Sequence, residues 1–491
     1  MSRSTYFSYR LFLPALMTGL LMGCGGGSSS PASATLTPPP VANTSVTLLA
    51  SGTANDRVVQ AGLTLNSLTL TNVAGKTVTV LSTPQHAEFV HLNGSVESLV
   101  TVEVPQGRYT SASATLGNSG FGCVLLGPTG GIVAGSYATV AATPTMTLSE
   151  PLVVGDTPIA LVLNLVVSPS QAAAVCDGLY AGQPPSPVET ITPAFNLSGY
   201  ATAGQAGSSY NGAETNLIGV ISAITMNGSG FSVTGADGPV WSVATNGSTV
   251  FQGVTGFSNL AAGMSVNFDA ALQPDGSLLA SRIEVTDTNT ADLTIMRGPS
   301  TFLSAAEPEM DLFITESAGT LFAGAQPLGA WSFGFGADTL FKVSAQMSNL
   351  SNLPFSPGFN GINMVAGQSI YVSTHAADFP DAPDLVSVTT VTLVPQTING
   401  TVTEVSSAGS FTTYTVALAS YATFAALAQQ PGQTTVLANP GSVVVYVDGN
   451  TRMLNSAPMA VGSLLRFGGL VFNDNGTLRM DCAEVLDGVA L

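Results

Sequence analysis

One pattern of eleven residues occurs three times in the second half of the chain. The copies are "WSVATNGSTVF" from Trp241, "WSFGFGADTLF" from Trp331 and "VVVYVDGNTRM" from Val443. All three keep a threonine at the ninth position, and the third copy has valine where the others have tryptophan. A repeat of this length indicates that one small structural unit occurs several times in succession, which constrains the fold more than any other feature of the sequence.

Matching segments surround each copy of the pattern. Each unit opens with a glycine that leads into a strand-like segment, and a second such segment follows the pattern, centred on Gly263, Gly367 and Gly462. Alternating apolar residues predict strands, and Asp-Gly, Asn-Gly and Ala-Gly pairs predict the turns between them. We therefore predict three small β modules, at residues 216–287, 288–396 and 397–491. They differ mainly by insertions, and the insertion from Ser420 to Gly432 is predicted to form a short helix ended by Pro-Gly.

The region before the modules is also rich in strand-like segments. Stretches such as "LTLNSLTLTN" and "TPIALVLNLVVS" alternate or are continuously β-branched, which predicts a β-sandwich of seven or eight strands within residues 46–200. The segment "ITPAFNLSG" is expected to return to this domain as an edge strand, and "SPSQAAAVCDGL" to form a short helix. Residues 201–215 are rich in glycine and serine and are predicted to be a linker. The predicted fold class is all-β.

Charged residues make up 8% of the chain, against about 25% in an ordinary globular protein, and the net charge is −18. This balance excludes a basic groove for nucleic acid, so we expect no nucleic-acid partner. The high apolar content excludes a mainly disordered chain.

The amino end has the layout of an export signal. Arg3 and Arg10 precede an apolar run from Leu11 to Gly23, which is too short for a membrane span of about 20 residues. The following "LMGC", Leu21 to Cys24, resembles the lipobox of bacterial lipoproteins. That resemblance implies that residues 1–23 are a signal peptide and that Cys24 is acylated and becomes the mature N-terminus. Residues 24–45 then form a disordered Gly/Ser/Pro linker.

The same resemblance implies a location. In lipoproteins of diderm bacteria an aspartate directly after the cysteine signals retention at the inner membrane, and this chain has Gly25 there. We therefore expect a lipid-anchored protein of the cell envelope, at the outer membrane, on its periplasmic face or at the cell surface.

A second resemblance covers the modules. The pattern Gly-x-Val-x-x-Ile, a Thr-Phe strand end, Ala-Gly-x-x-Val and a late Asp-Gly turn is similar to the bacterial domain of unknown function 5666. Module one carries it best, with Gly219, Thr249, Phe251, Gly263, Val266, Asp275 and Gly276 in place. The segment "LNGSVESLVTVEVPQGRYTSASATLG" resembles, more loosely, the domain of unknown function 4382. These resemblances imply three compact, barrel-like modules close to an OB-type layout behind the sandwich, and they bring no established chemistry.

The four cysteines are predicted to have different chemical roles. Cys24 goes to lipid, and Cys123 and Cys176 lie in one region and are candidates for a disulfide in an oxidising compartment. Two buried thiols remain the alternative for that pair. Cys482 is predicted to be a small core residue. No C-x-x-C pattern occurs, which argues against a cysteine metal site.

Candidate chemistry is sparse. "HAEFVH" contains His86, Glu88 and His91, but in an extended strand His86 and Glu88 share a face and His91 points away, so we expect a polar strand edge and no metal site there. Weak calcium candidates are the loop carboxylates Asp378, Asp381 and Asp384, which lack EF-hand spacing. His375 stands alone in the sequence, and Trp241, which alternates with Val243, is expected in a core.

We therefore expect no catalytic residue and no cofactor. The expected function is a non-catalytic structural, adhesive or ligand-binding role at the cell envelope, with the membrane as partner through the lipid and a cell-surface protein or glycan as ligand. The alternative is a secreted, carboxylate-dependent hydrolase that acts on polysaccharide or peptide. The two differ in whether carboxylates converge in a concave site.

Overall fold

The computed structural model describes residues 41–490 apart from 55, 127–131, 139–142, 144, 168–192, 203–211, 226–227, 237, 305, 320–328, 346–349, 376–385, 420–421 and 431–434. Residues Ala42–Leu491 form one compact unit. The regular structure of the described residues is almost entirely β-strand, which confirms the predicted all-β class.

Ten strands of the described residues form the N-terminal domain: β1 (Asn43–Thr53), β2 (Gln60–Asn72), β3 (Thr77–Leu81), β4 (Gln85–Glu88), β5 (Val96–Pro105), β6 (Gly107–Leu126), β7 (Ile132–Ala138), β8 (Thr145–Val154), β9 (Ile159–Val166) and β10 (Ala194–Ala201). One sheet has the order β10-β9-β1-β5, and the other has β3-β2-β6-β7 with β4 beside β2 and β8 beside β6. Buried side chains of both sheets, such as Leu48, Leu63 and Leu163, share one core, as the predicted β-sandwich requires. We call this the sandwich domain.

The sandwich has more strands than predicted. The strand-like stretch from Glu97 to Gly117 belongs to two strands in different sheets, β5 beside β1 and β6 beside β2, because the chain bends at Gln106. The expected edge strand is present as β10, which pairs with β9 alone in its sheet.

Eighteen further strands of the described residues form three barrels. The first barrel contains β11 (Ala213–Ile224), β12 (Gly230–Gly235), β13 (Val240–Ala244), β14 (Val250–Gln252), β15 (Ser265–Leu272) and β16 (Leu278–Asp287). The second contains β17 (Leu293–Leu303), β18 (Glu309–Ile314), β19 (Glu316–Gly319), β20 (Gly329–Val343), β21 (Ser369–His375) and β22 (Val386–Leu393). The third contains β23 (Gln396–Ala408), β24 (Phe411–Leu418), β25 (Ser442–Val447), β26 (Arg452–Met453), β27 (Leu464–Asp474) and β28 (Thr477–Asp487).

All three barrels have the same strand connections. In the first barrel β11, β12 and β13 form an antiparallel meander, β13 pairs in parallel with β16, and β15 closes the circle between β16 and β11. The second barrel repeats this with β17, β18, β20, β22 and β21, and the third with β23, β24, β25, β28 and β27. Five strands closed in this order are the Greek-key arrangement of an OB-fold, so the predicted barrel-like, OB-like modules are confirmed.

The recurring threonine has one structural role in all three barrels. Its hydroxyl donates to a carbonyl oxygen of the last barrel strand or its equivalent, at 2.7 Å for Thr249 to Ala280, 2.8 Å for Thr339 to Val388 and 2.9 Å for Thr451 to Cys482. The threonine hydroxyl oxygen itself accepts the backbone N–H of the residue three positions earlier in the chain. The hydroxyl therefore joins the residues between two short parallel pairings to the last barrel strand; these residues form a loop in the first and third barrels and the irregular part of β20 in the second.

The recurring second glycine is also explained. Gly263, Gly367 and Gly462 have φ of 90°, 98° and 90°, in the left-handed region that only glycine enters at little cost. Each lies in the tight turn before the fourth barrel strand, so the repeat preserves a backbone requirement.

The insertion in the third barrel contains the predicted helix. This helix, α1 (Thr423–Ala428), is short and mostly buried, and Phe424 packs against Gly367 of the second barrel. Two three-residue 3₁₀ helices, Phe257–Asn259 and Leu350–Asn352, complete the regular structure of the described residues.

The four domains share buried contacts. Trp241 is 4% exposed within the first barrel, as expected of a core residue, and its indole N–H donates to the carbonyl of Ser98 in the sandwich domain at 2.9 Å. Leu470 and Phe472 of the third barrel belong to the core of the second. Cys482 is buried with a free thiol, also as expected.

Several predicted features lie outside the described residues: the signal peptide, Cys24, the helix predicted at 168–179 with Cys176, and the loop with Asp378, Asp381 and Asp384. Cys123 is in β6, whose backbone pairs with β7 there. Among the described residues, no helix is long and apolar enough to cross a membrane.

Candidate functional site

A cavity of about 330 Å³ lies where the sandwich domain and the three barrels meet. Each domain contributes to its wall: Glu88 and His91 come from the sandwich, Asp269 from the first barrel, Arg297 from the second and Glu484 from the third. Val58, Val59, Val90, Pro299, Pro395 and Phe424 supply apolar surface. The wall thus combines charged groups with apolar patches in a volume typical of small-molecule sites.

Glu88 is fixed by the local backbone. It is the last residue of β4, and its Oε1 accepts the N–H groups of Ala61 at 2.7 Å and Val90 at 3.0 Å. Its Oε2 accepts the N–H of His91 at 2.7 Å. Three backbone donors therefore hold this fully buried carboxylate in one orientation.

His91 returns towards the same carboxylate. The strand ends at Glu88 and a turn follows, so the Nδ1 of His91 comes within 3.2 Å of Glu88 Oε2. The expectation that His91 points away from Glu88 is therefore wrong, because it assumed that the extended backbone continues to residue 91. The other ring nitrogen, Nε2, is 3.3 Å from Glu97 Oε2.

The second barrel adds a third carboxylate. Glu316, 3% exposed at the start of β19, places its Oε1 2.8 Å from His91 Nδ1 and 3.9 Å from Arg297 Nη1. Arg297 and Glu316 face each other as register partners in β17 and β19. We call Glu88, His91, Glu97, Arg297 and Glu316 the acidic cluster.

The charges of the acidic cluster act on each other. Burial by itself lowers the pKa of His91, but the negative charge of Glu316 and its other carboxylate neighbours outweigh burial and hold that pKa well above its usual value. Burial raises the pKa of Glu316, and the charges of His91 and Arg297 more than compensate, so that its pKa is lowered. Three carboxylates thus surround one imidazole, and one of them, Glu316, also faces the guanidinium of Arg297.

The cavity wall holds further charged groups, among them Asp56, Arg452 and Glu484. Burial raises the pKa of Asp56 to about 7, against the opposing effects of a backbone N–H donated by Asn399 and the charge of Arg466. Arg452 is paired with Glu484, whose pKa burial raises. These groups are neutralised in pairs or by protonation, so the wall offers both donors and acceptors.

The other predicted sites are placed differently. His375 is not isolated, since its Nδ1 contacts the carbonyl of Ala291 at 2.8 Å and its Nε2 lies 3.2 Å from Asp287 Oδ2. Asp287 also accepts the hydroxyl of Ser373 at 2.8 Å and the N–H of Asn289 at 2.9 Å. These contacts join the first barrel to the second and occupy both oxygens of Asp287, the last residue of β16.

Sequence reasoning missed Glu97, Arg297, Glu316 and the cavity. The one available signal was the "HAEFVH" segment, which contains two of the converging groups. Nothing in the local pattern relates it to Glu316, because the two are brought together only by packing of the second barrel against the sandwich.

Comparisons with known proteins agree with part of this description. A family model described as a domain of unknown function, DUF5666, matches residues 218–284, which lie in the first barrel, and confirms the resemblance predicted there. No curated protein matches the chain in sequence. Among solved structures it is similar to one titled "drosophila Unr CSD456", with 11% identity over 57% of this chain and 98% of that chain and a TM-score of 0.13. A likeness with so low a TM-score carries no argument.

Proposed function

We propose that this chain is a lipid-anchored binding protein of the bacterial cell envelope that holds a small saccharide in the cavity between its four domains. The anchor rests on the sequence: the charged start, the short apolar run and the lipobox-like segment ending at Cys24. The choice of binding over a purely structural or adhesive role rests on the cavity.

The single observation that carries the proposal is the composition of the cavity wall. Several of its charged groups contact a group of opposite charge, such as Glu88 with His91 and Arg452 with Glu484, beside apolar patches that include the ring of Phe424. An uncharged, polyhydroxylated ligand fits this wall, because its hydroxyls both donate and accept while its C–H faces pack on apolar and aromatic side chains.

The alternative hydrolase receives less support. Carboxylates do converge, but Glu88, Glu97 and Glu316 all contact the same imidazole. A glycosidase pair instead flanks the substrate, about 5–9 Å apart with the scissile bond between them. The carboxylates of the acidic cluster are arranged around a cation, which favours binding.

Calorimetric titration of the full chain in detergent tests the binding proposal. The panel contains neutral mono- and disaccharides, with putrescine and citrate as charged comparators. We expect saccharide binding that Asp56→Asn weakens about tenfold, since one hydrogen bond contributes about 0.5–1.5 kcal/mol. Asp275→Asn, in an exposed turn of the first barrel, serves as the control and is expected to bind as the unaltered chain does. Binding of the charged comparators alone, or equal affinity in both variants, would contradict the proposal.

Labelling cells with a radioactive fatty acid tests the anchor separately. The label is expected on the unaltered chain and absent from Cys24→Ser. Label that persists in this variant would show that Cys24 is not the acylated residue.

A further inference from the structure

We propose that Glu88, His91 and Glu316 bind a divalent transition-metal ion, with Zn²⁺ the best fit, at the edge of the central cavity. The inference goes beyond the proposed function and does not depend on a saccharide ligand. It assigns a role to the most highly charged buried group of residues in the described part of the chain.

The ligand atoms are already close to metal-binding distances from one another. One ligand atom from each of Glu88, His91 and Glu316 lies within 4.8 Å of the other two, and His91 Nδ1 is 3.2 Å from Glu88 Oε2 and 2.8 Å from Glu316 Oε1. Tetrahedral zinc, with bonds of about 2.0–2.2 Å, holds its ligand atoms about 3.3–3.6 Å apart. The two Nδ1–oxygen separations therefore need to widen by less than about 1 Å.

The imidazole is oriented as metal-binding histidines are. A carboxylate oxygen of Glu97 lies 3.3 Å from Nε2, where it can only accept an N–H. When a metal ion replaces the Nδ1 proton, this contact leaves the Nδ1 lone pair directed towards Glu88 and Glu316. A carboxylate that fixes the tautomer from the far side of the ring is the usual partner of a ligating histidine.

Glu316 gives an independent indication. Its side chain is 4% exposed, and no hydrogen bond of acceptable geometry reaches its Oε1, which lies 2.8 Å from His91 Nδ1 and 3.9 Å from Arg297 Nη1. A buried carboxylate oxygen without a donor is costly, whereas a metal ion would satisfy it. Glu88 differs, since backbone N–H groups already hold it in position for a ligand role.

The charge balance fits one divalent ion. With a neutral His91, three carboxylates and Arg297 leave an excess of two negative charges in a buried place. One divalent cation neutralises that excess and takes the position of the Nδ1 proton, so no uncompensated charge remains buried. One imidazole with two carboxylates suits Zn²⁺ or Co²⁺, whereas Ca²⁺ prefers oxygen ligands alone.

Metal titration of the full chain in detergent, after dialysis against EDTA and without saccharide, tests the inference. We expect one Zn²⁺ or Co²⁺ per chain and weak or no Ca²⁺ binding. Glu97→Gln is expected to weaken binding about 10–100-fold through the orientation of His91. Glu316→Gln, which replaces a charged ligand oxygen by a neutral amide, and His91→Gln, which removes the imidazole, are expected to weaken it further. His375→Gln, which alters a buried imidazole outside the acidic cluster, is the matched control and should bind as the unaltered chain does.

Spectroscopy of the unaltered chain provides a second test that does not depend on whether the variants fold. X-ray absorption of the unaltered chain loaded with Co²⁺ is expected to show a single imidazole nitrogen among oxygen ligands. Failure of the unaltered chain to bind a stoichiometric transition metal, a spectrum without imidazole, or full binding in Glu316→Gln would each overturn the inference. Saccharide titration in the presence of EDTA is scored separately, so failure of the one proposal is distinguishable from failure of the other.

Discussion

Burial and hydrogen bonding have opposite effects on the pKa of Glu214, the first charged residue of β11. The side chain is fully buried between the first barrel and the sandwich domain, and it accepts the N–H of Ser98 at 2.9 Å together with the Ser98 hydroxyl. Burial outweighs these hydrogen bonds and, with the nearby charge of Glu97, raises the pKa of Glu214 to about 7. Single residues such as this make the contact between domains sensitive to pH.

The free energy of unfolding should therefore fall as pH rises from about 5 to 8. Glutamate titrates near 4.3 in an unfolded chain, so in this interval the folded state holds a proton that the unfolded state has lost. Glu214→Gln imitates the protonated carboxyl and should reduce this loss by up to about 3 kcal/mol. Denaturant unfolding at several pH values measures it, with the exposed Glu404→Gln as control. Parallel pH profiles of the unaltered chain and Glu214→Gln would refute the assignment.

The predicted disulfide is also a residue-scale question. If Cys123 and Cys176 are bridged, a closed loop of about 50 residues should stabilise the sandwich domain by a few kcal/mol. Alkylation of the unfolded, unreduced mature protein should then label Cys482 alone. Labelling of three thiols would favour the alternative of two buried cysteines.

At the scale of elements, the three barrels repeat a hydrogen bond as well as a strand order. Thr249, Thr339 and Thr451 each bond to the last barrel strand through one hydroxyl that both donates and accepts. In each barrel the parallel pairing to the last strand is interrupted at this point. The threonine hydroxyl therefore supplies a hydrogen bond where the backbone ladder is missing.

Replacing each threonine by valine keeps the shape and removes both hydrogen bonds. We expect the free energy of unfolding to fall by about 1 kcal/mol in Thr249→Val and Thr339→Val. The loss should be larger in Thr451→Val, because Thr451 is 8% exposed and water cannot replace its hydrogen bonds. Thermal unfolding of each variant beside the matching Thr→Ser, which keeps the hydroxyl, measures the effect. Equal stability of the valine and serine variants would show that the recurring hydroxyl is not structural.

At the scale of the whole molecule, the barrels are closed but not independent. The third barrel has its own core, yet Leu470 and Phe472 on its outside are fully buried in the core of the second. Asn399 and Arg466 further join the third barrel to Asp56 and Asn93 of the sandwich domain.

A fragment of residues 397–491 should consequently fold to a β-rich barrel and self-associate through the exposed Leu470 and Phe472. The double substitution Leu470→Gln and Phe472→Gln in the same fragment should restore a monomer. Circular dichroism and sedimentation measure the two properties. A monomeric unaltered fragment would show that the contact between barrels contributes little, and an unfolded one that the barrel needs its neighbours.

Many of the secondary-structure elements and their repetition could be predicted from the sequence. The repeat of the threonine, the glycines before the fourth strand and the turn pairs predicted three similar modules, because each reflects a local requirement of backbone or strand pairing. Trp241 and Cys482 were likewise predicted as core residues from alternation and composition. The ten strands of the sandwich were undercounted, since a bend at Gln106 leaves no break in an apolar pattern.

The sequence by itself determined the β class, the repetition and the export-like amino end, because periodicity, turn residues and charge order are properties of neighbouring residues. Only the tertiary structure decided that His91 meets Glu88, Glu97 and Glu316, and that four domains enclose a cavity. Those contacts join residues far apart in the chain, and their geometry follows from how closed barrels pack on a sandwich. No local pattern encodes that packing, since the apolar residues that drive it look the same whether they fill a barrel or join two.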